Sequence, residues 1–297
     1  MSKLFNKFAF FGSSRFSVEV LETLKELGFI PSLLVTSPDR PAGRGQRLSP
    51  PPAKVWAKNN SIFVFQPLNY KDENTVQKLK DLSPEPDKEW ELFVVASYGH
   101  ILPASVIYMP KHKSLNIHPS LLPKLRGATP IQGAILGENE TGVTVMRMDE
   151  KMDHGPILGQ RKLRYKDWPP DAPTLEKDSA REGARLLAKL IPEWIEGCLE
   201  EIPQNENEAS YTTAIKKEDA FLDFENDPPG VLFRKIKAYK DKPKPYFFHD
   251  LGKNKKIRII ITEAELENGE LKIQKVIPEG RKEIKYEEFL KNQKAPN

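Results

Sequence analysis

The chain has 297 residues, a length that favours two domains, each large enough to bury a core. Its 38% hydrophobic and 30% charged residues are typical of a globular protein, and a net charge of +4 leaves only local clusters of charge to indicate a nucleic-acid partner. The single cysteine, Cys198, excludes an intramolecular disulfide and a cysteine-based metal cluster.

Targeting and membrane patterns are missing from the sequence. The N-terminus lacks the apolar run and cleavage site of a signal peptide. No stretch approaches the ~20 apolar residues that a membrane span needs. We therefore expect a soluble, cytoplasmic protein.

Short apolar runs alternate with helical patterns over roughly the first half of the chain. Such runs are typical of strands buried on both faces of a parallel sheet, and the helices between them indicate βαβ units. The predicted strands are 8–11, 32–36, 62–65, 92–96, 114–118, 141–148 and 157–163. The predicted helices are 13–28, with Gly28 as the stop signal, 53–59 and 73–82. The sequence thus predicts an α/β fold with a mainly parallel sheet.

The character of the chain changes near residue 200. A long helix is predicted over 174–197, and a polar, unpatterned segment at 201–207 is typical of a flexible linker. Beyond it, a short helix at 231–239 precedes three predicted strands, with Asn268 and Gly269 as a turn. We expect a first domain over 1–200, a linker over 201–207 and a small, mostly β domain over 208–297.

Gly12, Ser13 and Ser14 follow the first predicted strand, where a dinucleotide-binding loop would begin. The G-x-G-x-x-G fingerprint is absent, as is a Walker A sequence. A tight turn with a serine as helix cap is therefore favoured over phosphate binding.

A polar pair, Asn116 and His118, lies at the end of a predicted strand, and residues two apart point to the same face. Open parallel sheets bind ligands beyond the carboxyl ends of their strands, and a buried polar pair without partners is costly. A catalytic pair and a satisfied histidine beside a turn-forming asparagine fit this position equally. Between Pro119 and Pro123, Ser120, Leu121 and Leu122 either wall a flat ligand or cap the core.

Asp149 and Asp153 follow the alternating strand at 141–148. A carboxylate near an imidazole can orient it and stabilise its charged form, although Gly155 and Pro156 also fit simple turn chemistry. His100, His112 and His154 are nearby in sequence, but they lack metal-ligand spacing, so no metal is expected.

A basic segment with glycines and prolines spans 37–58 and predicts a long exposed loop. Its cations suit phosphate contacts, and the alternative is a solvated surface run. Further basic patches occur at 234–245 and 253–258.

Taken together, these segments resemble the methionyl-tRNA formyltransferase family over almost the whole chain. The resemblance rests on "NIHPSLLPKLRG", "TSPDRPAGRGQRLSPPPAK", "YGHILP", "ATPIQGAILGENETGVTVMRMDEKMDHGPIL" and "YTTAIKKEDAFLDF", in this order and spacing. It implies a Rossmann-like formyltransferase domain joined to an OB-like β-barrel that binds tRNA. It also implies 10-formyltetrahydrofolate as formyl donor, initiator Met-tRNA as acceptor, and a monomer.

The resemblance also implies roles for residues at matching positions. Catalytic roles fall to Asn116, His118 and Asp153; folate contacts to Ser120, Leu121, Leu122 and Pro123; and tRNA contacts to Arg44, Arg47 and Lys54. The chain departs from the family pattern at Leu125, where an aromatic residue is usual, and at His154 and Pro156, where a threonine and an acid are commoner. "AYKDKPKPYFF" stands where the family often has an Asn-Pro-Trp-Pro run.

Three other functions remain compatible with the residues. The first is formyl transfer to a nucleotide-linked amino sugar, which would share the donor and the polar trio. The second is hydrolysis of a formyl-folate, with water replacing the amine. The third is RNA binding without catalysis, which leaves the Asn116 and His118 pair unexplained.

Overall fold

The computed structural model describes residues 5–42, 47–85, 89–252 and 255–294. Its internal contacts divide the chain into two compact units. The first unit comprises Met1–Gly127, Thr141–Leu163 and Glu176–Tyr211, and the second comprises Ala128–Glu140, Arg164–Leu175 and Thr212–Asn297. No helix in the described ranges combines the length and apolar character needed to cross a bilayer.

A seven-stranded sheet forms the centre of the first unit. Its strands are β1 (Phe8–Phe11), β2 (Leu33–Val35), β5 (Phe63–Phe65), β6 (Leu92–Val95), β7 (Ser114–His118), β9 (Thr141–Arg147) and β10 (Ile157–Leu163). The remaining strands of this unit are β3 (Arg40–Ala42), β4 (Arg47–Ser49) and β8 (Arg126–Gly127). Its helices are α1 (Arg15–Glu26), α2 (Pro52–Asn59), α3 (Glu73–Asp81) and α4 (Ala104–Ile107), with most of α6 (Ala172–Ile195).

The sheet has the order β10-β9-β7-β6-β1-β2-β5. Strands β1, β2, β5, β6 and β7 run parallel, whereas β9 is antiparallel to β7 and β10 is antiparallel to β9. The short apolar runs predicted this arrangement because parallel strands are covered on both faces. One apolar cluster, which includes Ala180, Ala184 and Leu187 of α6, covers one face, and a second around Trp90 covers the other.

The turn after β1 is a helix cap, as its serines predict. Ser14 accepts a hydrogen bond from the Ser17 main-chain N–H, and the Ser17 hydroxyl accepts one from Ser14 N–H, so the pair forms a capping box. At the other end of α1, Gly28 adopts a φ of 87°, a conformation that favours glycine after a helix.

The described parts of the basic segment, 37–42 and 47–58, are more ordered than its composition predicts. Strands β3 and β4 pair as an antiparallel hairpin, with Arg40 opposite Ser49, and α2 begins at Pro52. A long loop was expected because prolines and glycines are frequent here, but prolines are tolerated in edge strands and at the first turn of a helix. Arg44 lies outside the described residues.

The second unit is built on a four-stranded antiparallel sheet with the order β12-β13-β14-β15. Its elements are α5 (Pro130–Gly137), β11 (Tyr211–Thr212), which begins in the first unit, α7 (Pro229–Ala238), β12 (Tyr246–Asp250), β13 (Lys256–Glu267), β14 (Glu270–Pro278), β15 (Ile284–Lys285) and α8 (Tyr286–Lys294). Asn268 and Gly269 connect β13 to β14 with φ of 51° and 83°, as predicted for a two-residue hairpin turn. Leu232, Ile259, Val276 and Phe289 belong to its core.

Candidate active site

Strand β7 carries Asn116 and His118 to the carboxyl edge of the sheet. It lies between β6, which is parallel to it, and β9, which is antiparallel, so main-chain hydrogen bonds on both sides fix its position. Asn116 is 9% exposed and His118 is 4% exposed. The two side chains therefore share one face at a nearly water-free position, where hydrogen bonds and charges act strongly.

The His118 ring has a defined partner on each nitrogen. Nε2 lies 3.0 Å from the carbonyl oxygen of Leu125, and because that oxygen can only accept, Nε2 carries a proton. Nδ1 lies 3.6 Å from Oδ1 of Asp153, a distance compatible with an ion pair but longer than a direct hydrogen bond. A proton gained or lost by this imidazole is therefore located on Nδ1, facing the carboxylate.

Asp153 is held in a tight turn between β9 and β10. It adopts a φ of 51°, and its Oδ2 accepts a hydrogen bond of 2.8 Å from the Gly127 main-chain N–H. Gly155 makes the turn possible, because a Cβ atom there would lie 1.9 Å from the carbonyl oxygen of Arg147. The sequence prediction that Asp153 belongs to a turn is confirmed, and the same turn places its carboxylate opposite His118.

A buried arginine, which the sequence analysis did not single out, supports this turn. Arg126 is 0% exposed and donates to Gln204 Oε1 at 3.0 and 2.8 Å and to the Glu206 carboxylate at 3.0 and 2.6 Å. It also donates to the Tyr211 hydroxyl at 3.0 Å. A buried guanidinium requires partners of this kind, and these come from a segment about 80 residues later in the chain.

Gln204 links Arg126 to the turn by hydrogen bonds. Its Nε2 donates to the carbonyl oxygens of Asp153 and Gly155 at 2.8 and 2.7 Å. The segment at 201–207, which its polar composition predicts to be a flexible linker, therefore makes specific contacts that hold the main chain on both sides of His154. The sequence gives little indication of these contacts, because a polar linker and a polar segment in a buried hydrogen-bond network have the same amino-acid composition.

Two further carboxylates lie beside the turn. Nδ1 of His154 is 2.6 Å from Oδ2 of Asp149, and its Nε2 is 3.6 Å from Oε1 of Glu206. Hydrogen bonding from Arg126 lowers the pKa of Glu206 below its ordinary value of 4.5. His154, a departure from the family pattern, thus stands between two acids next to Asp153.

The loop after His118 is fixed by Thr144 of β9. The Thr144 hydroxyl donates to the Ser120 carbonyl at 2.7 Å and accepts from the Leu122 N–H at 3.1 Å. Gln160 donates to the Leu122 carbonyl at 2.8 Å, and the Leu122–Pro123 peptide is cis. The Leu122 side chain packs in the core against Met146 and Ile157, whereas Leu121 and Pro123 are half-buried.

The basic residues predicted to contact RNA differ in their surroundings. Arg47 is exposed in β4. Lys54 instead forms an ion pair of 2.7 Å with Asp39, whose pKa is lowered by hydrogen bonds from Gln66 and Lys54. The acid that partners Lys54 thus lies within the basic segment itself.

The sequence is similar to known proteins along most of its length. The profile of the formyl transferase family matches residues 6–191. The methionyl-tRNA formyltransferase of Thermodesulfovibrio yellowstonii is 35% identical over 96% of this chain and 95% of its own length. The enzyme of the same name from Chloroflexus aggregans is 43% identical over 80% of this chain and 75% of its own.

Solved structures share the fold. A methionyl-tRNA formyltransferase from Clostridium thermocellum has a TM-score of 0.59 at 17% identity, covering 93% of this chain and 99% of that one. A sugar N-formyltransferase from a Shewanella species has a TM-score of 0.62 at 15% identity, covering 88% and 98%. The mainly parallel sheet is thus a formyltransferase fold. With relatives at 35–43% identity over most of its length, the chain belongs to the methionyl-tRNA formyltransferase family.

Proposed function

We propose that this enzyme transfers the formyl group of 10-formyltetrahydrofolate to the α-amino group of methionine on initiator Met-tRNA. The proposal rests on one observation above all: Asn116, His118 and Asp153 come from two distant segments, and the Asp153 carboxylate lies 3.6 Å from the imidazole. The relatives named methionyl-tRNA formyltransferase support this acceptor, since one of them aligns over 96% of this chain.

Asn116 is proposed to stabilise the oxyanion of the tetrahedral intermediate. The attacking α-amino group titrates near 7.7–8.0 when free, so much of it is a nucleophile near neutral pH. The harder step is charge development on the formyl oxygen when the amine adds to the carbon. An amide N–H donated to that oxygen from a buried position is worth roughly 3–4 kcal/mol.

His118 and Asp153 are proposed to move the proton. The attacking nitrogen loses a proton, and the departing folate nitrogen gains one. Because Nε2 of His118 is already protonated toward Leu125, Nδ1 is the atom that receives and returns this proton. The imidazolium formed in between faces the Asp153 carboxylate, whose Oδ2 is fixed by Gly127 and whose charge stabilises it.

The segment from Ser120 to Pro123 is proposed to line the folate site. Leu121 and Pro123 would supply apolar contact, while Ser120 and Leu122 hold the loop through Thr144. A shape fixed by main-chain hydrogen bonds reduces the entropy lost when a flat ligand binds.

The remaining assignments follow from the same family membership. We propose a catalytic domain over 1–200, and an OB-like domain over 208–297 that binds tRNA, with 201–207 between them. Arg44, Arg47 and Lys54 are proposed to contact the tRNA backbone, with Lys54 the weakest of the three because Asp39 already neutralises it. The enzyme is proposed to act in the cytoplasm as a monomer without a metal.

One assay tests the acceptor. The purified protein is incubated with radiolabelled 10-formyltetrahydrofolate and Met-tRNA, with an amino-sugar nucleotide as competing acceptor. Formyl-Met-tRNA as the dominant product supports the proposal. Formylated sugar, or free formate without acceptor, would assign the chain to amino-sugar transfer or to hydrolysis instead.

Two substitutions test the site in the same assay. Asn116→Ala and His118→Ala are expected to lower kcat by roughly 10²–10³-fold while affinities for folate and tRNA change little. Ser114→Ala is the matched control, because Ser114 is buried in the same strand but donates to Ile107 near the opposite end of β7. Near-normal turnover in both site variants would remove the proposed trio.

A further inference from the structure

The second unit carries an open pocket beside its edge strand β12. Its volume is about 490 Å³, within the range of small-molecule binding sites. The residues that matter for its chemistry are Lys217, Lys242, Lys244, Tyr246, Phe248 and Arg258. None of them belongs to the site around Asn116, His118 and Asp153.

The pocket has an aromatic wall that the core does not require. Strand alternation sends Phe247 into the core, where it is 9% exposed, and sends Tyr246 and Phe248 outward. Phe248 is 52% exposed, and its ring lies 6.2 Å from that of Phe221, which is 36% exposed. Phe221 lies beside the pocket rather than in its lining, and exposed aromatic rings clustered in this way mark a binding surface.

Arg258 extends this wall across the sheet. It is the β13 partner of Phe248, and its Cζ lies 4.3 Å from the centre of the Tyr246 ring. The guanidinium covers the Tyr246 ring, which lies at 84° to the ring of Phe248. The exposed Phe248 ring and the exposed guanidinium are therefore the flat surfaces on which a planar, electron-rich group can stack.

The charge of the pocket is positive. Four cationic side chains line it, namely those of Lys217, Lys242, Lys244 and Arg258, against the carboxylates of Glu218 and Asp241. Cations around an aromatic platform match a ligand with both a flat ring and an anionic group. Single-stranded nucleic acid is recognised by this combination, with bases stacked on aromatic rings and phosphates near lysines.

We propose that this pocket binds one unpaired nucleotide of an RNA, with its base stacked on Phe248 and its phosphate near Lys242 and Lys244. The inference deepens the proposed function and rests on it for the identity of the RNA as tRNA. Stacking makes the site tolerant of sequence. Because only an unpaired base exposes its face for stacking, the site would select unpaired rather than helical RNA.

The test measures binding of the full chain to a fluorescein-labelled single-stranded RNA of six nucleotides by fluorescence anisotropy. Phe248→Ala is expected to weaken binding by at least about fivefold. Phe248→Trp is expected to bind about as tightly as wild type, because a tryptophan ring also stacks. Phe63→Ala is the matched control, since Phe63 is 60% exposed but lies in β5 of the first unit. Circular dichroism melting confirms that each variant is folded.

Salt dependence separates the two kinds of contact. Lys244→Ala is expected to reduce the slope of log K against log salt, whereas Phe248→Ala lowers affinity without changing the slope. Equal affinity of wild type and Phe248→Ala would overturn the proposal. Binding of a polyglutamate peptide with the same affinity and the same dependence on Phe248 would also overturn it, and would assign the pocket to an acidic protein segment.

Failure of the pocket and failure of the proposed function give different results. If the wild type formylates Met-tRNA and Phe248→Ala binds the oligonucleotide normally, the pocket assignment is wrong and the proposed activity stands. If the wild type fails to formylate Met-tRNA but its oligonucleotide binding depends on Phe248, the pocket stands and the RNA is not the acceptor.

Discussion

The main-chain N–H of Gly127 donates a 2.8 Å hydrogen bond to Oδ2 of Asp153, while Oδ1 of the same carboxylate faces Nδ1 of His118. The two ends of the segment 118–127 therefore contact the two oxygens of one side chain. This arrangement ties the loop that follows β7 to the turn that follows β9, and it leaves the carboxylate little freedom to rotate away from the imidazole.

Replacing Asp153 with asparagine is expected to distinguish the effect of the side chain's position on catalysis from the effect of its negative charge. The amide preserves the shape and can still accept from Gly127, but it cannot stabilise an imidazolium at His118. We expect kcat for formyl transfer to fall by about 10²–10⁴-fold with little change in KM, as measured by single-turnover kinetics. Asp149→Asn is the control, because that carboxylate contacts His154 rather than His118. A kcat within threefold of wild type would contradict a charge role for Asp153.

Gln204→Glu is expected to reveal a positioning role for the Arg126 network. A carboxylate still accepts from Arg126, but it cannot donate to the carbonyl oxygens of Asp153 and Gly155. We expect about a tenfold loss of kcat, unchanged KM and a melting temperature close to that of wild type, since the buried arginine keeps a partner. Gln77→Glu, an exposed change of the same kind, serves as control. A drop in melting temperature with normal kcat would indicate a purely structural role.

Glu206→Gln is expected to change the pH dependence of stability. The pKa of Glu206 is lowered in the fold by Arg126, so the folded protein binds this proton more weakly than the unfolded chain. The stabilising contribution is therefore present above pH 4.5, and it is lost as pH falls through the lowered folded pKa.

Urea unfolding between pH 3 and 7 measures this contribution. Wild type should exceed Glu206→Gln in free energy of unfolding at pH 7, and the two should converge at the acid end. The control Glu19→Gln disrupts an exposed ion pair with Arg181. A wild-type advantage that is constant across this range would refute the linkage to Glu206.

Thr144→Val should loosen the loop proposed to hold folate. The substitution removes the hydroxyl that donates to Ser120 and accepts from Leu122, so two buried main-chain groups lose their partner. We expect a loss of about 1–3 kcal/mol in the free energy of unfolding and a raised KM for the formyl donor.

Thr141→Val in the same strand is the matched control. The buried Thr141 hydroxyl makes no hydrogen bond within the described part of the chain, so its removal is expected to be neutral or stabilising. Equal effects of the two substitutions would show that the Thr144 bonds do not matter to the loop.

Arg47→Ala tests the basic hairpin. If Arg47 contacts a phosphate, the slope of log K for tRNA against log salt should fall in magnitude by about one. Lys54→Ala should have a smaller effect, because Asp39 already partners Lys54. Filter binding over a range of salt concentrations measures both slopes. Identical slopes for wild type and Arg47→Ala would return the hairpin to the interpretation of a solvated surface run.

The central sheet was predictable because its evidence is local. The run 92–96 is apolar, short and bounded by turns, and the end of the strand at 114–118 places Asn116 and His118 at the carboxyl edge of the sheet. The turn at Asp153 was also predictable from its glycine and proline. That Asp153 lies close to His118 could be predicted only from the family resemblance, because the spacing of residues 118 and 153 in the sequence does not indicate a contact.

The Arg126 network was not predictable by the same means. An arginine between a leucine and a glycine is normally assigned to the surface, and a polar segment such as 201–207 is normally assigned to a linker. Neither rule reveals the contact that the structure shows, in which the two segments satisfy each other's hydrogen bonds across about 80 residues of chain. The β3–β4 hairpin is not evident from the sequence, because Pro41 is compatible both with an edge strand and with a loop.

Gly155 also constrains how this enzyme can be redesigned. Since a methyl group there would overlap the Arg147 carbonyl oxygen, the main chain that carries Asp153 tolerates no side chain at that position. Mutant libraries aimed at altered acceptor choice should therefore leave position 155 invariant and diversify its neighbours His154 and Pro156. Variants recovered with a residue other than glycine at 155 would have to reach the reaction through a different backbone path.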